Sequence, residues 1–280
     1  MHRVLKISFV LLIPLITHAQ QGQELFKSMI ETSRKINTLK TRTVMYERFN
    51  GKLHLQKSYV KVQHSPFRLY YRQDHPQKGI EILYVDGRNN NKALVKPNSF
   101  PWINMLFDPY DMQLRDKQHH TLFHPGFSYF VSIMEALAEK YNDKLDEIIL
   151  YEGEITWNGK NCYHLTLSNP DFGYTTYTVG TGEDLDKIAD KLHVSSYMLL
   201  EINEKVKDYK DVKTGESIRV PVGYAKKMTV YIEKQRNIPV FMEIFDDKGV
   251  FEKYEFYNLE LNISFEKDEF SPEFRDYHFK

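Results

Sequence analysis

The sequence reads as an α+β protein in which a strongly curved antiparallel sheet wraps on helices and is interrupted by a βααβ unit. Three observations predict this. Runs of alternating apolar and polar residues bounded by turn signals recur along most of the 280 residues. Two stretches carry apolar residues at helical spacing, one before the first run and one midway. One late segment, residues 177–221, is helix-patterned although both of its flanks alternate. Composition agrees, because 19 Tyr and 18 Phe against 13 Gly favour strands over linkers. With 38 basic and 38 acidic side chains there is no charge surplus for nucleic acid, and none is expected as a partner. The lone Cys162 rules out an intramolecular disulfide framework and a cysteine metal cluster.

In chain order, His2, Arg3 and Lys6 precede an apolar run over residues 7–16 and then Thr17, His18 and Ala19, the order of a secretory leader cut after Ala19. The run is about half of the roughly 20 residues that cross a bilayer, so no transmembrane segment is expected after cleavage. The remainder carries 36 basic and 38 acidic residues, which gives it no strong pull toward anionic lipids or polymers. Leu25, Met29, Ile30, Ile36 and Leu39 predict an amphipathic helix over residues 23–39. From Thr41 the alternation predicts four sequential antiparallel strands, separated at Asn50-Gly51, Ser65-Pro66, Gln77-Lys78-Gly79 and Asp86-Gly87, with a short fifth at residues 93–95. Residues 97–116, rich in Phe, Trp, Ile and Met, are expected as a buried loop or short helices. Phe130, Ile133, Met134, Leu137 and Ala138 predict a second helix ending at Tyr141. Strands are then expected at residues 147–151, 153–157, 162–167, 227–233, 240–245 and 251–257, the last two joined by Asp246-Asp247-Lys248-Gly249.

Residues 177–221 contain a short strand, a helix with Leu185, Ile188, Ala189 and Leu192, a second with Leu199 and Ile202, and a strand at 217–220. Asp184 and Ser195 stand as N-caps. Tyr177, Thr178, Val179, Gly182, Leu185, Ile188, Ala189, Val194, Leu199, Asn203, Gly215, Ile218, Val220 and Pro221 resemble the LysM pattern across the whole unit. That resemblance implies a module binding N-acetylglucosamine-containing glycan, such as peptidoglycan or chitin, between two loops. By position the groove would use Thr181, Gly182, Glu183, Asp184 and Leu185 on one side and Ile202, Asn203 and Glu204 on the other. Glu183-Asp184 stands where the pattern has Asp-Thr, and Glu204 where a proline often follows the asparagine, so the groove is expected to gain negative charge. Tyr197 and Met198 replace usual polar residues and are expected to face the host or a ligand. Antiparallel pairing of the first and last strands would bring the module's ends together, allowing it to interrupt a hairpin.

The expected organisation is a leader at 1–19, a host domain at 20–174 and 224–280, and the inserted module at 175–223. The host's leading helix with "TLKTRTVMYERF", the Asp86-Gly87 turn, "WNGKNCYHLTL" and the closing "DEFSPEFRDYHF" resemble the LolA and LppX group of periplasmic lipoprotein carriers, and an uncharacterised bacterial family of the same shape. The resemblance implies an open half-barrel whose apolar cavity holds a lipid or acyl chain. Tyr46, Phe67, Leu69, Tyr71, Ile82, Val230, Ile232 and Phe245 are the expected lining. The common hydrolase and nucleotide-binding motifs are absent from the sequence, and no cofactor is implied. His119, His120 and His124 are expected on a solvent-facing loop rather than around a metal, and Cys162 as a buried small residue. The expectation is a non-enzymatic, exported, periplasmic protein tethered to glycan and holding lipid. The alternative is an envelope-assembly protein whose insertion binds a protein or is purely structural.

Overall fold

The computed structural model describes residues 18–279. Helix α1 (His18–Arg34) leads into strands β1 (Thr38–Phe49), β2 (Lys52–Gln63), β3 (Arg68–His75), β4 (Glu81–Val85), β5 (Ala93–Lys96) and β6 (Met105–Phe107). Helix α2 (Ser128–Tyr141) and the single turn α3 (Leu145–Ile148) precede β7 (Ile149–Trp157) and β8 (Lys160–Ser168). The interrupting unit is β9 (Tyr174–Thr178), α4 (Leu185–Leu192), α5 (Ser196–Ile202) and β10 (Ser217–Pro221). The chain returns through β11 (Lys227–Glu233), β12 (Ile238–Asp246) and β13 (Gly249–Leu261).

Eleven strands form one sheet in the order β6-β5-β4-β3-β2-β1-β13-β12-β11-β8-β7, with β9 and β10 forming a separate pair. Every neighbouring pair is antiparallel, and β1 against β13 joins two meanders into a continuous surface. On one face, helices α1 and α2 contribute Phe26, Met29, Phe130 and Met134 to a core that includes Leu39, Leu69, Val230, Ile232 and Phe251. The segment after β13 covers the other face of β3 and β4 with Phe270, Phe274 and Tyr277, and Tyr277 stacks on Tyr70 at 3.7 Å. The Lys61 ammonium, inserted between Phe274 and Tyr277, meets Glu269 at 2.8 Å.

The insertion interrupts a ladder without breaking it. Leu167 of β8 pairs with Met228 of β11, and β9 pairs with β10 from Thr178–Ser217 to Tyr174–Pro221. The chain therefore leaves and rejoins the large sheet at adjacent strands.

Several expectations change. The first helix runs over His18–Arg34 rather than 23–39, closing with the Lys35 and Ile36 N–H groups on the Thr32 and Ser33 carbonyls. Leu39 is instead a fully buried strand residue. Apart from His18 and Ala19 at the start of α1, the expected leader lies outside the described residues. The two strands expected at 147–157 are one, β7, with a bulge between Tyr151 and Gly153 that resets the alternation. Of residues 97–116, Met112–Arg115 do form a short 3-10 helix with Leu114 and Arg115 buried, and Met105–Phe107 form β6, but the stretch before β6 is not buried. Phe100 is 83% exposed, Trp102 71% and Ile103 62%.

Candidate binding sites on the module and the concave face

The module has its own core of Leu185, Ile188, Val194, Leu199 and Ile218. Its caps form as the sequence predicts, with Asp184 accepting from the Lys187 N–H at 2.9 Å and Ser195 from the Met198 N–H at 3.3 Å. In the first loop Thr181 and Gly182 are exposed, and Gly182 turns the chain at φ +72°. Glu183 is folded back. Its carboxylate accepts from the Gly180 N–H at 2.7 Å, the Tyr177 hydroxyl at 2.8 Å and the Lys191 ammonium at 3.0 Å. The Gly180 amide first, then Lys191 and Tyr177, hold this carboxyl down to about 2.

Asn203 ties the second loop to β10. Its amide donates to the Leu199 and Arg219 carbonyls and accepts the Arg219 N–H, each at 2.8 Å. Leu185 is fully buried, Ile202 packs toward the host and Glu204 is exposed. Of the eight groove positions, Thr181, Gly182 and Glu204 therefore face solvent, whereas Glu183, Asp184 and Asn203 fix the loops. The expected accumulation of acid is offset at Glu183 by Lys191.

Two buried cations join module to host. Arg115, 4% exposed, donates twice to Asp186 at 2.9 Å and to the Ser196 hydroxyl at 2.8 Å, while its guanidinium lies 3.3 Å from the centre of the Tyr209 ring. Arg48 pairs with Asp246 and reaches Glu201 of α5 at 3.5 Å. Tyr197 stacks on His119 at 4.1 Å, and it and Met198 belong to the host core, the first of the two contacts expected for them.

His119 sits at the centre of a buried polar network on the concave face. Glu47 and Glu252 are direct cross-strand partners, and two carboxylates at such a position repel. His119 lies between them, its Nδ1 2.7 Å from Glu252 and its backbone N–H on Glu47 at 3.2 Å. Its Nε2 faces the Arg48 carbonyl at 2.9 Å. Both ring nitrogens thus face groups that accept, an arrangement that favours the imidazolium form of His119, and Glu47, His119 and Glu252 bring one ligand atom each within 4.8 Å of one another. Burial alone would lower its pKa, but Glu47, Glu252 and the Arg48 carbonyl raise it. Burial likewise works against the Glu252 carboxylate, yet His120 and His119 hold it well below the usual range. Tyr224 and Tyr254 complete the network at 2.9 Å from Glu252 and Glu47. The expected solvent-facing histidine loop is overturned, because His119 and His120 meet Glu252 on the inward face of the sheet and His124 stacks on Tyr129. Sequence reasoning missed the network, although Glu252 shares the phase of buried Tyr254 and Phe256 and was the available signal.

Three hollows adjoin these elements. An open trough of about 640 Å³ lies on the concave face of β2 to β4, lined by Tyr71, Ile82, Pro97 and Met105 and by the polar Gln56, Gln73, Asp116 and Lys117. A hollow of about 80 Å³ beside the histidines takes Leu69 and Tyr71, and the hydroxyls of Ser58 and Tyr71 and the Nδ1 of His124 there have no protein partner. A crevice of about 330 Å³ separates α2 from the module. Of the other lining residues named from sequence, Val230 and Ile232 are fully buried in core and Phe67 packs on Tyr84 and Phe123. Tyr46 and Phe245 face the opposite side. Tyr46 alternates with the cavity-lining Met45 and Glu47 and lies under Lys253, and Phe245 lies under Lys227.

The family profile described as "Protein of unknown function (DUF1571)" matches residues 36–178, just over half of the chain. The chain belongs to the DUF1571 family. The LysM domain profile matches residues 177–221, the module described above. No curated protein matches significantly. Among solved structures, MucB is 12% identical and aligns over 89% of this chain and 62% of its own, at a TM-score of 0.43. Lipoprotein LppX from Mycobacterium tuberculosis is 9% identical over 88% and 97% of the two chains, at 0.41. LprF from Mycobacterium bovis is 10% identical over 87% and 95%, also at 0.41. The open antiparallel architecture of this DUF1571 chain rests on its own strand order.

Proposed function

We propose that the protein is a non-enzymatic envelope component whose LysM module binds N-acetylglucosamine-containing glycan, such as peptidoglycan, and whose curved sheet holds a lipid or lipoprotein acyl chain. The observation that carries this reading is the LysM-matched module itself, complete in its four elements and core, with both presumed groove loops braced from within. Such bracing reduces the entropy lost when a sugar is bound. The groove's polar contacts then come from the backbone at Thr181 and Gly182 and from Glu204. The lipid half is supported by the mainly apolar crevice beside α2, lined by Ile133, Met134, Leu137, Leu167 and Met228, and by the apolar wall of the trough at Tyr71, Ile82, Val95 and Phe107. The leader expected over residues 1–19 supports export to the periplasm, and the adjacency of β8 and β11 supports boundaries of 20–174 with 224–280 for the host and 175–223 for the module. No helix among the described residues is long and apolar enough to cross a membrane.

Calorimetric titration of the full chain with chitin oligosaccharides tests the glycan half. Saturable heat that Thr181→Trp abolishes is the expected result. A fluorescent fatty acid, competed by palmitate in vesicle-free solution, tests the lipid half, and absence of saturable binding removes it. A second reading, that the insertion is structural, is favoured by the Arg115 clamp and by Tyr197 and Met198 in the host core. It predicts no sugar heat at all from a fully folded chain.

A further inference from the structure

The loop after β5 exposes apolar surface that the fold does not need. Phe100 is 83% exposed, Trp102 71%, Ile103 62% and Leu106 48%, four large apolar side chains within seven residues. Single exposed apolar residues are ordinary, but a cluster of this kind marks a contact surface. The loop is also built rather than frayed. The Trp102 N–H closes a turn on the Ser99 carbonyl at 3.2 Å, and Asn98 and Asn104 donate to the Lys78 and Phe279 carbonyls. Trp102 adopts φ +61°, a left-handed conformation that is costly for a bulky side chain, and the outcome is an indole held out in solvent.

The surrounding charge selects the partner. The chain as a whole balances its charges, but Lys96 and Lys78 stand at the end of the β4–β5 ladder from which the loop springs, whereas Arg88 and Lys92 lie at its other end. Lys96 lies at the base of the loop, its ammonium 3.4 Å from the Gly79 carbonyl, beside Lys78 of the neighbouring turn. The nearby Glu81 is buried and engaged with Tyr70 and His278. A Phe-Trp-Ile tip with lysines at its base is the arrangement that seats in the headgroup region of an anionic bilayer, the indole at the interface and the ammonium groups on lipid phosphates. A protein partner would not require the uniform sign of charge.

We propose that residues 99–106 form a membrane-docking tip that inserts into the interface of an anionic lipid bilayer at the mouth of the concave trough. Pro97 and Met105 flank the exposed tip and also line the trough, so docking brings the hollow close to the lipid surface. The proposal deepens the lipid-holding reading and rests on it for its purpose, while the docking itself is read independently of any cargo.

The test uses the full chain carrying Trp157→Phe, which leaves Trp102 as the sole tryptophan. Vesicles of phosphatidylglycerol and phosphatidylcholine in equal parts are expected to shift its emission to shorter wavelength and to co-sediment it, with binding weakening as salt rises. Phe100→Ser with Ile103→Ser should reduce co-sedimentation by roughly a hundredfold, the equivalent of removing two buried apolar side chains. Absence of both shift and sedimentation overturns the proposal. Equal binding to pure phosphatidylcholine overturns its charge selectivity. A dimer in solution that the double substitution dissociates would assign the patch to a second copy of the chain instead. Fatty-acid binding in vesicle-free solution that persists without vesicle docking would sink this proposal alone and leave the lipid-holding reading intact.

Discussion

Glu252 is fully buried, yet it is satisfied by His119, His120 and Tyr224, so its ionised form is part of the folded state. Replacing it by glutamine leaves the His119 imidazolium facing a neutral group in the core. Glu252→Gln is expected to cost about 3 kcal/mol or more, read from the denaturant midpoint at neutral pH. The pH dependence has two limbs. His119 titrates above its ordinary value, so its contribution is full below about pH 6.5 and is lost as the pH rises through the folded value. Glu252 titrates below its ordinary value, so its contribution is present above about pH 4.5 and declines as acid approaches the folded value. Stability should therefore fall on the alkaline side, and His119→Gln should flatten that fall. A wild-type chain whose midpoint is unchanged across the alkaline range would contradict the imidazolium assignment.

At the level of elements, sequence pattern located the strands of both meanders apart from β6, because turn dipeptides bound them and one face is apolar. It also located the module, whose caps at Asp184 and Ser195 are local signals. Ser195→Ala is expected to cost about 1 kcal/mol, seen as a lower thermal midpoint without change in ligand binding. What the pattern did not give were contacts between distant positions. His119 and Glu252 are 133 residues apart, and no periodicity pairs them. The bulge in β7 was read as a strand break because one extra residue interrupts the alternation. Residues 97–116 were expected as a buried loop or short helices because they are apolar, and a short helix forms at Met112–Arg115, yet Phe100, Trp102 and Ile103 stay exposed because burial depends on whether another element covers them. Groove residues were named by motif position, which cannot distinguish a side chain facing a ligand from one, such as Asn203, that holds the loop.

For the whole molecule, the structure joins host and module through buried groups rather than a flexible linker. Arg115, Arg48, Tyr197 and Met198 all cross the boundary. A single cooperative thermal transition is therefore expected for the wild type in calorimetry. Arg115→Ala, which leaves Asp186 without its buried partner, should cost about 3–5 kcal/mol and split off a separate module transition. Two transitions already present in the wild type would show that the clamps do not couple the units.

The central claim, a glycan-binding module fixed rigidly to a lipid-holding sheet, is tested most directly by sedimenting the full chain with insoluble peptidoglycan beside Thr181→Trp, a substitution at an exposed loop position that leaves the clamps untouched. The account predicts that the wild type is retained and the variant is released with an unchanged melting curve. Equal release of both, under conditions in which an established LysM protein is retained, would contradict it and leave the insertion as a structural or protein-binding part of the sheet.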